Sequence, residues 1–164
     1  MRLIKLVVIS LIVLSLLVTA LSLLFPSTVI VSRAIEVSAP AAEIENYAGN
    51  LKNWSAWMSD FKQNKIEWKG DAAMIGSQTI QFISKTDHSA TFNWVATGQR
   101  PYTVTIEWIP LQKGIHVIHW SFEQHVKWYP WEKFQTLLNE KVLGAKMEVE
   151  LKNLTACILS ISVP

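Results

Sequence analysis

The sequence predicts an α+β fold in which an antiparallel sheet buries one face against a long C-terminal helix, the whole preceded by one transmembrane helix. Three observations carry this reading. Residues Leu3 to Phe25 are almost wholly apolar, the stretch from Lys65 to Glu123 alternates apolar with polar residues, and apolar residues recur at helical spacing from Pro130 to about Leu154.

Of the 164 residues, 50% are hydrophobic and 17% charged, more apolar than is usual for a soluble domain, and the excess sits at one end. The run LIKLVVISLIVLSLLVTALSLLF from Leu3 to Phe25 has Lys5 as its only charge. At about 1.5 Å per residue it is long enough to cross a hydrocarbon core of about 30 Å. Arg2 and Lys5 precede the run and the next basic residue is Arg33. The positive-inside bias then keeps the N-terminus cytoplasmic and exports the rest, to the periplasm in a bacterium. The rival is a cleaved signal peptide, for which Val18-Thr19-Ala20 offers small residues. Against it, Leu21 to Phe25 stays apolar past that point, and Pro26-Ser27 is the more natural stop. The chain thus divides into an anchor, residues 1–26, and an exported domain, residues 27–164. Cys157 is the sole cysteine, so no intrachain disulfide forms. A net charge of +2 without a Lys/Arg cluster argues against a nucleic-acid partner.

Ser27 to Val37 alternates and is rich in β-branched residues, which predicts a strand. Ser38-Ala39-Pro40 ends it and opens a helix over Ala41 to Ala48, stopped by Gly49-Asn50. In LKNWSAWMSD, Leu51 to Asp60, Trp54 and Trp57 lie three apart and share one face of a short helix. In the alternating region Ile80, Phe82, Phe92, Trp94, Val104, Ile106, Trp108, Ile118, Trp120 and Phe122 share one parity. Thr79, Gln81, Thr91, Asn93, Thr103, Thr105, Glu107, Ser121 and Glu123 share the other, which gives a sheet with one wet face. Turns fall at Lys85 to Asp87, Gly98 to Pro101 and Gln112 to Gly114. In the final helix, opened by Pro130, Phe134, Leu138, Val142 and Ala145 lie nearly opposite Leu143, Met147, Leu151 and Leu154. Gly144 falls at the change of face, which predicts a kink or a helix covered on both sides.

The segments RAIEVSAPAAEI (33–44), NWSAWM (53–58) and LGAKMEVELKNL (143–154) resemble the START-like superfamily, also called SRPBCC, and most closely its polyketide cyclase/dehydrase-like branch. The likeness runs from Ser27 to Thr155 and departs from the family pattern at Glu150, where Gly is common, and in the apolar tail ACILSISVP. It implies a helix-grip fold, a curved antiparallel sheet wrapped around the long helix with a hydrophobic cavity between them. The implied cavity residues are Trp54 and Trp57, as core plugs or as a gate that touches ligand, with Ile80, Phe82, Phe92 and Trp94. Ile106, Trp108, Ile118, Trp120, Leu143 and Met147 complete the set. Arg33, His116 and Glu140 are candidate polar groups of that cavity. In the implied fold the first strand pairs with the last, so Trp128, Tyr129 and Trp131 are expected at the membrane-proximal end, where aromatic rings favour the headgroup layer.

Little in the residues points to catalysis. His116 and His119 stand at odd spacing on one strand and so face opposite sides, which rules out a shared metal. His119, Glu107 and Glu123 share the outer face and meet as a solvated polar group or as an acid/base constellation. No GxSxG, HExxH, CxxC or phosphate-binding glycine loop is present, and no catalytic residue, cofactor or metal ligand is assigned. The expectation is a membrane-anchored domain that binds a hydrophobic or amphipathic small molecule, lipids included, with the membrane as its other partner. Two alternatives stay open. One is a cyclase or dehydratase using cavity acid/base groups, and the other is a structural domain whose eight tryptophans fill the cavity. Mass measurement of the mature N-terminus tests the anchor: the chain is expected to retain the residues before Leu21, and a chain that begins at Leu21 identifies a cleaved signal instead.

Overall fold

The structure, a computed structural model, describes residues 2–24, 27–127 and 129–162, except for the side chains of 2, 23, 130–139, 161 and 162. Helix α1 (Arg2–Leu23) leads to strand β1 (Thr28–Ser38). Pro40 then stands as the N-cap of α2 (Ala41–Ala48), where a missing N–H is no loss. A 3-10 helix follows over Leu51–Ala56, and after it comes α3 (Ser59–Gln63). Six strands run in succession: β2 (Ile66–Lys69), β3 (Ala72–Ile75), β4 (Gln78–Lys85), β5 (Ser89–Ala96), β6 (Tyr102–Gln112) and β7 (Ile115–His125). Helix α4 (Pro130–Ser162) closes the chain.

Strands β2 to β7 form an antiparallel meander, and β1 returns beside β7 to give the order β1-β7-β6-β5-β4-β3-β2. The alternation has the predicted parity. Ile106 lies opposite Trp120 and Trp108 opposite Ile118, and all four are buried. From α4, Met147, Leu151, Leu154 and Ile158 reach the same core. The sheet is thus curved around one helix, the helix-grip arrangement.

The buried tryptophans explain why the chain between α2 and α3 is built as it is. A helix leaves its last four carbonyls without intrahelical donors. In α2 each of the four finds a donor. The Gly49 N–H reaches the Glu45 carbonyl at 2.9 Å, and the Asn53 side-chain amide reaches that of Asn46 at 2.9 Å. The indole N–H of Trp57 donates to Tyr47 at 3.0 Å, and that of Trp54 donates to Ala48 at 3.0 Å. Both rings are fully buried, so the pair cap a helix and fill the core at once. Gly49 belongs to the same arrangement, since a Cβ there would stand 3.1 Å from the Trp108 ring.

Helix α4 differs from expectation in three ways. It continues beyond Leu154 to Ser162, because Ile158 still finds the core. It runs unbroken through Gly144, where a Cβ would meet the Arg33 guanidinium at 2.2 Å. The glycine therefore makes room for an arginine that lies across the helix, and it marks no break. Among the described side chains the second apolar face is uncovered, with Val142 73% and Val149 55% exposed. Phe134 and Leu138 lie outside the described side chains.

Glu150, on the inward arc of α4, is only 2% exposed. Its carboxylate accepts the Ser59 backbone N–H at 3.0 and 3.2 Å and the Asn153 amide at 3.2 Å. It thereby supplies the N-terminal cap that α3 lacks, since Met58 offers no side-chain acceptor. The ammonium of Lys146 adds a 2.6 Å contact to Asp60 on α3. Helix α1 is different in kind: its large apolar side chains from Leu3 to Leu17, and Leu21, are exposed, so it is no core element of the domain. It is long and apolar enough to cross a membrane, features that a signal sequence shares.

Two substitutions test this framework. Trp57→Phe keeps the ring but strands the Tyr47 carbonyl, and is expected to lower unfolding free energy by about 1–3 kcal/mol in denaturant titration. Glu150→Ala is expected to cost about 2 kcal/mol by leaving the Ser59 N–H without its acceptor, with Glu150→Gln, which keeps an acceptor oxygen, losing less.

Candidate functional site

Among the described residues five tryptophans are buried, and their indole N–H groups can be followed one by one. Trp54 and Trp57 donate to α2. Trp94 donates to the Gln78 side-chain oxygen at 2.9 Å, and Trp108 to the Asp87 carbonyl at 3.0 Å. The fifth, Trp120, is 2% exposed and has no hydrogen-bond partner among the described residues. Trp120 and Trp94 are the two of the five that border open space.

That space is a cavity of about 230 Å³ between α4 and one end of the sheet. Trp94, Trp120, Leu143 and Met147, all expected cavity residues, form part of its wall. The remainder is Met58, Gln78, Ala96, Gln99, Tyr102, Phe122, Val142 and Lys146. Some of these were within reach of sequence reasoning. Gln78 has the parity of Ile80, Tyr102 that of Val104, and Phe122 that of Trp120, so each points inward. Lys146 stands three residues after Leu143 on the same helix. Met58 and Gln99 come from loops, whose direction no periodicity encodes.

The other expected cavity residues lie elsewhere. Trp54, Trp57, Ile80, Phe92, Ile106, Trp108 and Ile118 belong to the packed core. Ring contacts fill their volume: Trp54 lies 4.7 Å from Phe92 and 5.5 Å from Trp57, and Trp57 lies 5.8 Å from Trp120. Phe82 packs on Phe92 at 5.9 Å and lines a separate surface cleft with Trp68, Lys52, Asp71 and Lys85. That cleft, about 260 Å³ in volume, lies between the 3-10 helix and strands β2 and β4, away from α4, and mixes apolar with charged side chains.

None of the three candidate polar groups enters the main cavity wall. Arg33 has inward parity but crosses over Gly144, and its Nε donates to Glu148 at 2.8 Å while an Nη donates to the Ser32 carbonyl at 2.8 Å. Its charge is thus paired at the surface. Glu140 is exposed and borders a small crevice with Val29, Val31 and Gln124. His116 is buried at the far end of the sheet, opposite Val37 and Pro110. On the outer face His119 meets Glu107 at 3.1 Å across paired strands, and Glu123 approaches His125 at 3.6 Å. Among the described residues no group of three or more His, Cys, Asp or Glu side chains could hold a metal. Tyr129 carries Lys127 Nζ 6.0 Å from its ring centroid. Trp128 and the Trp131 side chain lie outside the described residues.

A family model described as polyketide cyclase / dehydrase and lipid transport matches residues 28–158. No curated protein matches the chain. Among solved structures, a point mutant of norcoclaurine synthase from Thalictrum flavum, in complex with a transition-state analogue, is similar with a TM-score of 0.62 at 17% identity. That match covers 82% of this chain and 96% of the other. XoxI from Bacillus cereus gives a TM-score of 0.59 at 13% identity over 82% of this chain and 99% of its own. CalU16 from Micromonospora echinospora gives 0.55 at 15% identity, over 80% of this chain and 75% of its own. At such identities the structural likeness establishes the helix-grip fold alone. The family match spans β1 through the body of α4, the same elements that enclose the cavity, and the chain belongs to the polyketide cyclase/dehydrase and lipid transport family.

Proposed function

We propose that this protein is a membrane-anchored domain that binds an apolar or amphipathic small molecule between α4 and the end of the sheet. The observation that carries the reading is the cavity itself, walled by Trp94, Trp120, Phe122, Leu143 and Met147 with Gln78, Gln99, Tyr102 and Lys146 also in its lining. A mainly apolar molecule that carries a polar group suits such a lining. At about 230 Å³ the cavity falls below the usual range of roughly 300–1,000 Å³ for drug-sized ligands, which favours a single alkyl chain or ring system over a fused polycycle.

Catalysis has less support. Lys146 is the one ionisable side chain in the described wall apart from Tyr102, and it is committed to Asp60 at 2.6 Å. Acid/base chemistry would have to break that pair first. The filled-cavity alternative applies to the centre of the sheet, where the rings consume the volume, and not to its open end.

Photolabelling of the full chain in detergent by a diazirine-bearing fatty acid tests the reading. Label is expected on Met58 and on the segment Val142 to Met147, and Ala96→Trp, which fills the cavity, should abolish it. Label spread evenly over the surface and indifferent to Ala96→Trp would overturn binding. Turnover of a polyketide-like substrate that is lost in Lys146→Met would move the protein to the enzyme class.

A further inference from the structure

The strand register puts the cavity mouth and the anchor at the same end of the domain. Thr28, at the start of β1, lies opposite His125 at the end of β7, and the Val126 N–H extends that pairing to the Ser27 carbonyl at 2.8 Å. Thr103, near the start of β6, lies opposite Glu123. Trp94, near the end of β5, faces Tyr102, and Gln78 at the start of β4 faces Ala96. All these positions belong to one end of the sheet. The cavity wall is drawn from that end, through Gln78, Ala96, Gln99, Tyr102 and Phe122.

Hydrogen bonds tie the mouth to the anchor's exit. The Gln124 amide donates to the Arg100 carbonyl at 3.1 Å, and the Arg100 guanidinium donates to the His125 carbonyl at 3.4 Å. The β5–β6 turn, which supplies Gln99 to the mouth, is thereby held to the residues that pair with Ser27 and Thr28. From Leu24 to Ser27 the chain can reach no more than about 11 Å. The polar layer on each side of a bilayer is roughly 5–8 Å deep, so an embedded α1 leaves this end of the sheet at the headgroups. The rim is suited to that place: Val142 lines the mouth and is 73% exposed, and exposed Lys127 and Lys141 suit anionic headgroups. Exposed apolar residues also occur at the far end, Ile109 and Leu111 on β6. They stand six and eight residues along the strand from Thr103, about 20 and 27 Å away, too far to share the same interface.

We infer that the cavity opens onto the leaflet from which α1 emerges toward the domain, so that its ligand passes between that leaflet and the cavity without crossing bulk water. This rests on the anchored, ligand-binding reading above, and it specifies the ligand's source: a molecule dissolved in that leaflet.

The test uses the full chain carrying Cys157→Ser, with a single new thiol from either Gln99→Cys at the mouth or Lys113→Cys in the far β6–β7 turn. Each is labelled with the environment-sensitive fluorophore NBD. The protein is reconstituted into vesicles of phosphatidylcholine with a minority of phosphatidylglycerol, with or without a nitroxide on the lipid headgroup. The expected result is that NBD at position 99 loses most of its fluorescence to the nitroxide while NBD at position 113 keeps it. Quenching at 113 but not at 99 would overturn the inference by reversing the domain. Quenching at neither, with the protein still bound after an alkaline wash, would overturn it while leaving the anchor intact. Release of the protein by that wash would instead remove the anchor itself, and the inference with it.

Discussion

Every indole buried in this domain has to place one N–H, and the rest of the interior is arranged around that requirement. Trp54 and Trp57 meet it on the last carbonyls of α2, so the helix end and the core are fastened by the same two side chains. Trp94 and Trp108 meet it on Gln78 and on the β4–β5 turn. The rings, once held, pack against Phe92, Phe61 and one another at centroid distances of 4.7 to 6.3 Å, edge-on or tilted as aromatic quadrupoles prefer. Such contacts leave no room at the centre of the sheet. Open volume adjoins the cluster at its margin, beside Trp94 and Trp120.

The wall opposite the sheet depends on a second set of contacts, between α3 and α4. A buried carboxylate is tolerated only where it is well hydrogen-bonded, and Glu150 satisfies that condition with the Ser59 N–H and the Asn153 amide. It locks the start of α3, and with it Met58, against the long helix. The Lys146–Asp60 and Arg33–Glu148 pairs are more exposed, and exposed pairs contribute at most about 1 kcal/mol each. Their effect is on shape: they tie Arg33 to Glu148 and Lys146, a residue of the cavity wall, to Asp60. A family fold that elsewhere carries enzymes such as norcoclaurine synthase is here lined mainly by carbon.

Closure of the sheet by β1 beside β7 gives the domain its polarity. A meander alone would leave β7 as an open edge, and the N-terminal strand covers it along its whole length, from Thr28 opposite His125 to Ser38 opposite Ile115. Because β1 follows the apolar helix directly, the same pairing that protects the edge also determines which end of the sheet stands next to α1. The position of the cavity relative to α1 is thus a consequence of strand register and needs no additional contact.

The sequence by itself determined what depends on direction along a local backbone. A side-chain period of two assigned the inner and outer faces of β4 to β7, since a slip of one residue would have turned every tryptophan to solvent. Pro40 and Gly49 delimited α2, and the length of the apolar run marked α1. Tertiary structure alone decided which inward residues border open space and which meet each other. Trp54 and Trp120 are the same residue type, both inward and both buried, yet one is surrounded by rings and the other borders a cavity. Arg33 points inward by parity, but Gly144, more than a hundred positions away, lets it pass across the helix to Glu148. Glu150 reads as a polar fault in an apolar stripe until Ser59 is placed beside it. Periodicity records the direction in which a side chain leaves its own backbone, whereas a void or a polar partner depends on volumes and groups brought together from distant segments.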